Sequence, residues 1–188
     1  QVGHILPNDP AYYFRMVDVD FTPRPVFYAV QEAAGALKVA PAGIVEEQNP
    51  AVTWNVGWRS DSDARASGER HAVSTTAGSS MTVRFRGEGI ALISRTGPQE
   101  GRLIVRLDGQ AVPQLPSDED GQSYIELTDT EARWQQHIPV ATELALTEHT
   151  LELTTQRGQG MGEVSYCTVD GFEILVEASP RFPVLGTV

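Results

Sequence analysis

Short segments in which apolar and polar residues alternate dominate the chain beyond residue 50. Met81, Val83 and Phe85 alternate with threonine and arginine, and residues 151–154 repeat the pattern with leucine, glutamate and threonine. A period of two buries one face of a strand and exposes the other, which is typical of antiparallel sheets. Clusters of Gly, Asp and Ser separate the segments, and no helical periodicity lies between them.

The alternating segments predict ten strands. They lie near Thr53–Trp58, His71–Thr75, Ser80–Arg86, Gly89–Ser94, Arg102–Leu107, Gln110–Gln114, Tyr124–Leu127, Trp134–Val140, His149–Thr154 and Thr168–Glu177. Asp108-Gly109 predicts a tight hairpin, because glycine tolerates a positive φ. Short strands at this density predict an all-β fold, an antiparallel β-sandwich or jelly roll over residues 51–178.

The first 40 residues have a different pattern of apolar and polar residues. Thr22 is a good N-cap, Pro23 suits the first helical position, and apolar residues then recur at helical spacing. We therefore predict one N-terminal α-helix over Pro23–Leu37. Residues 41–50 contain two prolines and a glycine and are interpreted as a linker, and residues 179–188 as a C-terminal tail.

Charge and composition exclude several classes of function. The net charge of −11 argues against nucleic-acid binding and against docking on an anionic membrane. No stretch reaches the roughly 18 apolar residues of a membrane span. The single cysteine, Cys167, cannot form an internal disulfide, and we expect it to be buried and inert. The acidic balance suits an extracellular or cell-surface protein.

Three stretches of the sequence beyond residue 50 resemble one family of β-domains. AGSSMTVRFRGEGIALISRTGPQEGRLIVRLDGQ, LTEHTLELTT and EVSYCTVDGFEI lie in residues 77–110, 146–155 and 163–174. Together they resemble the core and closing strands of galactose-binding-like jelly rolls that serve as carbohydrate-binding modules. The resemblance covers about residues 52–177. It implies a polysaccharide or oligosaccharide as the partner.

The N-terminal piece resembles a different family. AYYFRMVDVDFTPRPVFYAVQEAAG, residues 11–35, is similar to the last strand and helix of a glycoside hydrolase (β/α)8 barrel. The two resemblances together imply the C-terminal end of a longer glycosidase, with a barrel remnant in residues 1–40 and a catalytic barrel upstream as a partner. The chain begins at Gln1, and we expect it to be an excised or processed piece. The apolar side of the predicted helix could also mediate self-association.

Sugar binding requires an aromatic face for the apolar C–H surface and planar polar groups for the hydroxyls. Trp58 is the preferred platform, since Arg59 and a polar loop follow it. Trp134 with Gln135, together with His71 and Arg95, complete the set of candidate ligand-binding residues. A tryptophan in a sandwich is more often part of the core than a binding platform, so each candidate platform has a packing alternative.

The resemblance also implies a structural calcium ion. Related jelly rolls often hold calcium between their first and last strands, and Asp170 would be one ligand, with Glu46 or Glu47 approaching from the chain entry. Calcium takes six to eight oxygen ligands, so carboxylates are suitable donors. The alternative is that Asp170 only stabilises a neighbouring turn.

No catalytic residue can be assigned. Glycoside hydrolysis needs two carboxyl groups about 5–10 Å apart, and no spacing in this sequence singles out such a pair. The favoured function is therefore a non-catalytic carbohydrate-binding module on a glycoside hydrolase. Two alternatives stay open: a ligand-free sandwich that braces the barrel or an oligomer, and an adhesion or protein-binding domain.

Overall fold

The computed structural model describes Val26, Val30, residues 38–156 and residues 165–176. The chain divides into two units, Gln1–Lys38 and Val39–Val188. The predicted barrel remnant over residues 1–40 and the helix over Pro23–Leu37 lie outside the described residues, apart from Val26, Val30 and residues 38–40, and the predicted tail lies outside them as well. Within the described part of the chain, no helix is long and apolar enough to cross a membrane.

The second unit is built from strands, as the alternation predicts. Its described residues form β1 Gly43–Glu46, β2 Val52–Trp54, β3 Trp58–Ser62, β4 Arg70–Ser74, β5 Ser80–Gly87, β6 Gly89–Thr96, β7 Arg102–Leu107, β8 Gln110–Ala111, β9 Tyr124–Glu126, β10 Arg133–Ala141, β11 Thr147–Gln156, β12 Cys167–Val169 and β13 Gly171–Leu175. A single 3-10 turn, Ser67–Glu69, precedes β4.

The strands form three antiparallel sheets. One has the order β1-β13-β6-β10, and the second has the order β2-β5-β11-β7-β8 with β9 also paired to β7. The third and smallest has the order β12-β4-β3. Every ladder between named strands is antiparallel. The predicted all-β, antiparallel class is confirmed, and the architecture is a β-sandwich.

One hydrophobic core joins the two larger sheets. Phe85 and Leu151 from the six-stranded sheet share a buried cluster with Leu92 and Phe172 from the four-stranded sheet. These four side chains are fully buried. Burial contributes about 25 cal/mol per Å² of apolar surface, so this shared cluster is the main stabilising element of the sandwich.

The predicted hairpin at Asp108-Gly109 is confirmed, and its Asp108 side chain also bonds to two residues of β11. Both residues have positive φ angles, 51° and 76°, which fits a two-residue turn between β7 and β8. The Asp108 carboxylate accepts hydrogen bonds from the Thr150 backbone N–H at 2.8 Å and pairs with His149 Nδ1 at 2.7 Å. His149 is therefore a structural residue of this turn.

The prediction of a linker over residues 41–50 is wrong for the central residues of that range. Residues Gly43–Glu46 form β1, which pairs with β13 at the edge of the four-stranded sheet. Val45 is buried and Ile44 is 62% exposed, so the strand does alternate. A strand of four residues next to Pro41 and Pro50 is too short for its periodicity to stand out.

Two predicted strands are each divided in two. The first, Thr53–Trp58, breaks at Asn55, whose side chain accepts a hydrogen bond from the Gly57 N–H at 3.1 Å. The chain then leaves the six-stranded sheet at β2 and enters the small sheet at β3. The last, Thr168–Glu177, breaks at Asp170, which separates β12 from β13. The two breaks place β3 and β12 in the small sheet, where both pair with β4.

Candidate functional site

A concave cleft of about 180 Å³ lies on the outer face of the small β12-β4-β3 sheet. Arg59 and Asp61 of β3 point to this face, and they lie opposite Val73 and His71 of β4. Thr168 of β12 lies beside Val73 in the same sheet. The small sheet therefore forms the floor and one wall of the cleft.

The other wall comes from the ends of β6 and β10. Arg95 lies near the end of β6, and Trp134 lies near the start of β10. The complete lining consists of Arg59, Asp61, Ser62, Asp63, His71, Val73, Arg95, Trp134, Tyr166 and Thr168. Four of the six predicted ligand-binding residues are thus brought together: Arg59, His71, Arg95 and Trp134.

An irregularity in β10 positions Trp134. The register with β6 shifts between Arg133 and Gln136, and Gln135 adopts a positive φ of 51°. Such bulges redirect side chains beside binding and active sites. Trp134 is half-buried, and the His71 ring meets it edge-on with centroids 5.1 Å apart. Its ring offers the aromatic surface of the cleft.

Two guanidinium groups approach the ring of Trp134. The Cζ atoms of Arg65 and Arg95 lie 5.1 and 5.4 Å from the ring centroid, within the range of cation–π attraction. The exposed Arg65 is held in place by Asp63, which accepts from Nε at 2.8 Å and from Nη2 at 2.7 Å. This pairing holds the pKa of Asp63 well below its usual value.

Glu100 lies beneath the cleft. Its carboxyl is fully buried, accepts a hydrogen bond from the Thr168 hydroxyl at 3.2 Å, and lies 3.6 Å from Arg95 Nη1. Burial raises the pKa of Glu100 to about 7, against the lowering effect of Arg95. Burial lowers the pKa of His71, which favours the neutral form of its imidazole.

Buried polar atoms without a partner are concentrated at this cleft. Within residues 38–156 and 165–176, His71 Nδ1, Arg95 Nε and Trp134 Nε1 have no hydrogen-bond partner, and neither does Glu100 Oε2 below them. A buried polar atom left unpaired costs about 1–3 kcal/mol. A ligand, water or side-chain movement that supplies the partner would relieve this cost, which makes the cleft the candidate binding surface of the described residues.

Two predicted ligand-binding residues do not line the cleft. Trp58, the preferred platform, is only 4% exposed and belongs to the hydrophobic core. A buried indole offers no face for a sugar, so the packing alternative holds for Trp58. Gln135 donates instead from Nε2 to the Arg65 carbonyl at 3.0 Å, which ties the loop before β4 to the bulge.

The proposed calcium ligands do converge, although they do not form a closed cluster. Asp170 accepts two hydrogen bonds from the Ser67 N–H, at 2.9 and 3.0 Å, and Glu46 accepts one from the Ser67 hydroxyl at 2.6 Å. Burial raises the pKa of Asp170 to about 6, and the nearby charges of Glu46 and Glu47 add to the effect.

These groups suit calcium in their chemistry. Glu47 is 1% exposed, and its Oε2 has no hydrogen-bond partner among the described residues. No three His, Cys, Asp or Glu side chains in that part of the chain are clustered as a ready metal site. Because calcium also takes backbone carbonyls and water, three carboxylates need not be the whole ligand set. An ion here would neutralise these carboxylates and would stabilise the pairing of β1 with β13.

Sequence reasoning missed Glu100, Thr168 and Tyr166. Glu100 stands in a polar loop, and nothing in its neighbours distinguishes it from an exposed glutamate. The adjacent Cys167 is buried as predicted, and burial raises the pKa of its thiol to about 12, so it is unreactive at neutral pH.

Comparison with known proteins identifies the fold. No protein-family model and no curated protein matches the chain. A two-domain esterase active on acetylated mannans, co-crystallized with mannopentaose, is similar in structure, with a TM-score of 0.52 and 14% identity over 72% of this chain and 36% of that chain. A Paenibacillus xanthan lyase has a TM-score of 0.50 and 14% identity over 71% of this chain and 13% of that chain.

These likenesses define the class of the molecule as a β-sandwich domain. At 14% identity, they show the fold alone. The match spans 36% of the esterase chain and 13% of the xanthan lyase chain.

Proposed function

We propose that residues 39–176 form a non-catalytic carbohydrate-binding module attached to a longer carbohydrate-active enzyme. The observation that carries the proposal is the cleft itself, where an aromatic ring, planar polar side chains and unpartnered buried polar atoms meet. This combination suits a saccharide, which presents both C–H faces and hydroxyl groups. The sandwich fold supports it, because the similar structures are a mannan esterase and a xanthan lyase.

Polar clamping is the principal mode of binding in this proposal. Arg59 and Asp61 are paired at 3.1 Å, but their side chains are 59% and 49% exposed at the rim, so the N–H groups and the oxygen outside the pair are accessible to hydroxyl groups. Stacking on Trp134 requires Arg65 to move from the ring, since its Cζ lies 5.1 Å from the centroid. Attachment to a polysaccharide would raise the substrate concentration around a linked active site, and a glycoside hydrolase barrel upstream is the partner proposed.

Affinity electrophoresis tests this function. Gels would contain β-glucan, xylan, mannan, galactan or polygalacturonate, and we expect the folded protein to be retarded by at least one of them. Arg59→Ala should reduce the retardation. Arg84→Ala should not, because Arg84 forms a similarly exposed ion pair with Glu148 on the six-stranded sheet. No retardation of the folded protein in any gel would favour a ligand-free bracing domain.

A further inference from the structure

The three arginines around the cleft differ in how closely a carboxylate pairs with each of them. Arg59 is paired with Asp61 at 3.1 Å, and Arg65 with Asp63 at 2.7 Å. Arg95 is different, because its only ion-pair partner among the described residues is Glu100, at 3.6 Å. Charge-assisted N–H···O hydrogen bonds are usually about 2.7–2.9 Å long, so this contact is a weak one.

Glu100 neutralises Arg95 incompletely. The carboxyl is fully buried, and its pKa of about 7 means that a large share of the molecules carry the proton at neutral pH. The side chain of Arg95 is still 29% exposed, although its Nε is buried. Arg95 therefore presents a positive charge at the cleft of a chain whose net charge is −11.

Two of the four unpartnered buried atoms at the cleft, Arg95 Nε and Trp134 Nε1, are obligate hydrogen-bond donors. Arginine and the tryptophan indole donate hydrogen bonds and accept none, so Arg95 Nε and Trp134 Nε1 can be paired only by an acceptor. A carboxylate offers two acceptor oxygens in a plane, and it is the partner that a guanidinium binds in bidentate geometry. A hydroxyl group supplies acceptors too, but without the charge.

We propose that the cleft recognises a carboxylate-bearing saccharide, such as a uronic acid residue, with the carboxylate on Arg95 and the sugar ring against Trp134. The inference rests on the proposed function, which it deepens by naming the ligand class. A divalent cation is a poorer occupant, because Asp61 and Asp63 are already engaged by arginines.

The direct test compares a polyuronate with its carboxyl-reduced form by isothermal titration calorimetry. Reduction converts each carboxylate to a hydroxymethyl group and leaves the chain linkage unchanged. We expect reduction to weaken binding about 10-fold to 100-fold, the range expected for hydrogen bonds to a charged group. Arg95→Gln should bind the acidic form only as tightly as the parent binds the reduced form, whereas Arg84→Gln should match the parent.

Other outcomes separate the failure of this inference from failure of the proposed function. Equal affinity for the acidic and reduced chains would overturn the carboxylate assignment and leave saccharide binding intact. Equal affinity for a sulfated glucan and the polyuronate would also overturn it, since the cleft would then select anions in general. Binding of neither form nor of any neutral polysaccharide would overturn the function itself. If Arg95→Gln does not fold, Arg95→Lys keeps the charge but loses the bidentate geometry, and its affinity should still fall.

Discussion

Glu100 shows how one buried carboxyl can affect both the cleft and the stability of the fold. It is fully buried, and burial raises its pKa from 4.5 to about 7. Between these two values the folded state holds a proton that the unfolded state releases. Stability must therefore fall as pH rises through this window, because the unfolded state binds fewer protons.

Glu100→Gln should abolish this part of the pH dependence. The variant removes the titrating group but retains a side chain that can accept from Thr168. The shift corresponds to on the order of 3 kcal/mol between pH 4.5 and 8. We expect urea unfolding to show the parent losing stability relative to the variant over this range.

The difference in unfolding stability between the parent and Glu100→Gln isolates the contribution of Glu100. Asp170 and Glu47 also have raised pKa values, but they contribute equally to both. Parallel stability curves for parent and variant from pH 4.5 to 8 would contradict the assignment.

At the residue scale, the sequence predicted most of the polar and aromatic side chains that meet at the cleft, but not the orientation of each candidate. Arg59, His71, Arg95 and Trp134 were predicted from residue type and loop context, and they do meet. Trp58 was misplaced, because strand β3 begins at that residue and turns its ring into the core. Trp134 faces the cleft owing to a bulge, and no alternation pattern predicts a bulge.

At the scale of the elements, β1 shows that the predicted linker is part of the fold. Val45 lies opposite Phe172 in β13 and is 3% exposed, whereas Ile44 on the other face of the same strand is 62% exposed. Val45→Ala should lower the free energy of unfolding by about 1–3 kcal/mol, through lost burial and a small cavity. Ile44→Ala should change it by less than about 0.5 kcal/mol.

Chemical denaturation of both variants measures this difference. Equal, negligible effects at the two positions would mean that residues 41–50 behave as a linker. The alternation inside β1 was visible in the sequence, but four residues carry too little of it to outweigh the flanking prolines. The alternation in β5 predicts nearly the whole strand, 80–86 of 80–87, whereas in β11 it predicts only the part 149–154 of 147–156, because the burial pattern is regular only toward the end of that strand.

A bound calcium ion would also act between elements, because its proposed ligands lie at the end of β1 and immediately before β13. Calcium at 100 times its dissociation constant would stabilise the fold by about 2.7 kcal/mol, or about 5–10 °C in Tm for a domain of this size. We expect calcium to raise the Tm relative to EDTA, and Glu47→Gln to abolish the shift. Glu148→Gln, on the exposed face of β11, should retain it. An identical Tm of the parent in calcium and EDTA would contradict the site.

For the whole molecule, the acidic net charge and an acidic ligand are compatible. The Debye length is about 8 Å at physiological ionic strength, so distant carboxylates act weakly on the cleft. Arg95 acts at contact distance, where its charge is partly shielded from water by Trp134 and His71. In the proposed function, the sandwich is the frame, and the small third sheet with the bulged end of β10 is the recognition surface.

The most direct test follows the three indole N–H signals of Trp54, Trp58 and Trp134 in a ¹H–¹⁵N correlation spectrum during titration with oligouronate. The signals can be assigned with single Trp→Phe variants. We predict that the Trp134 signal shifts with saturable dependence on ligand concentration, while the signal of the buried Trp58 stays in place. Saturating binding that leaves the Trp134 signal unmoved would contradict recognition at this cleft.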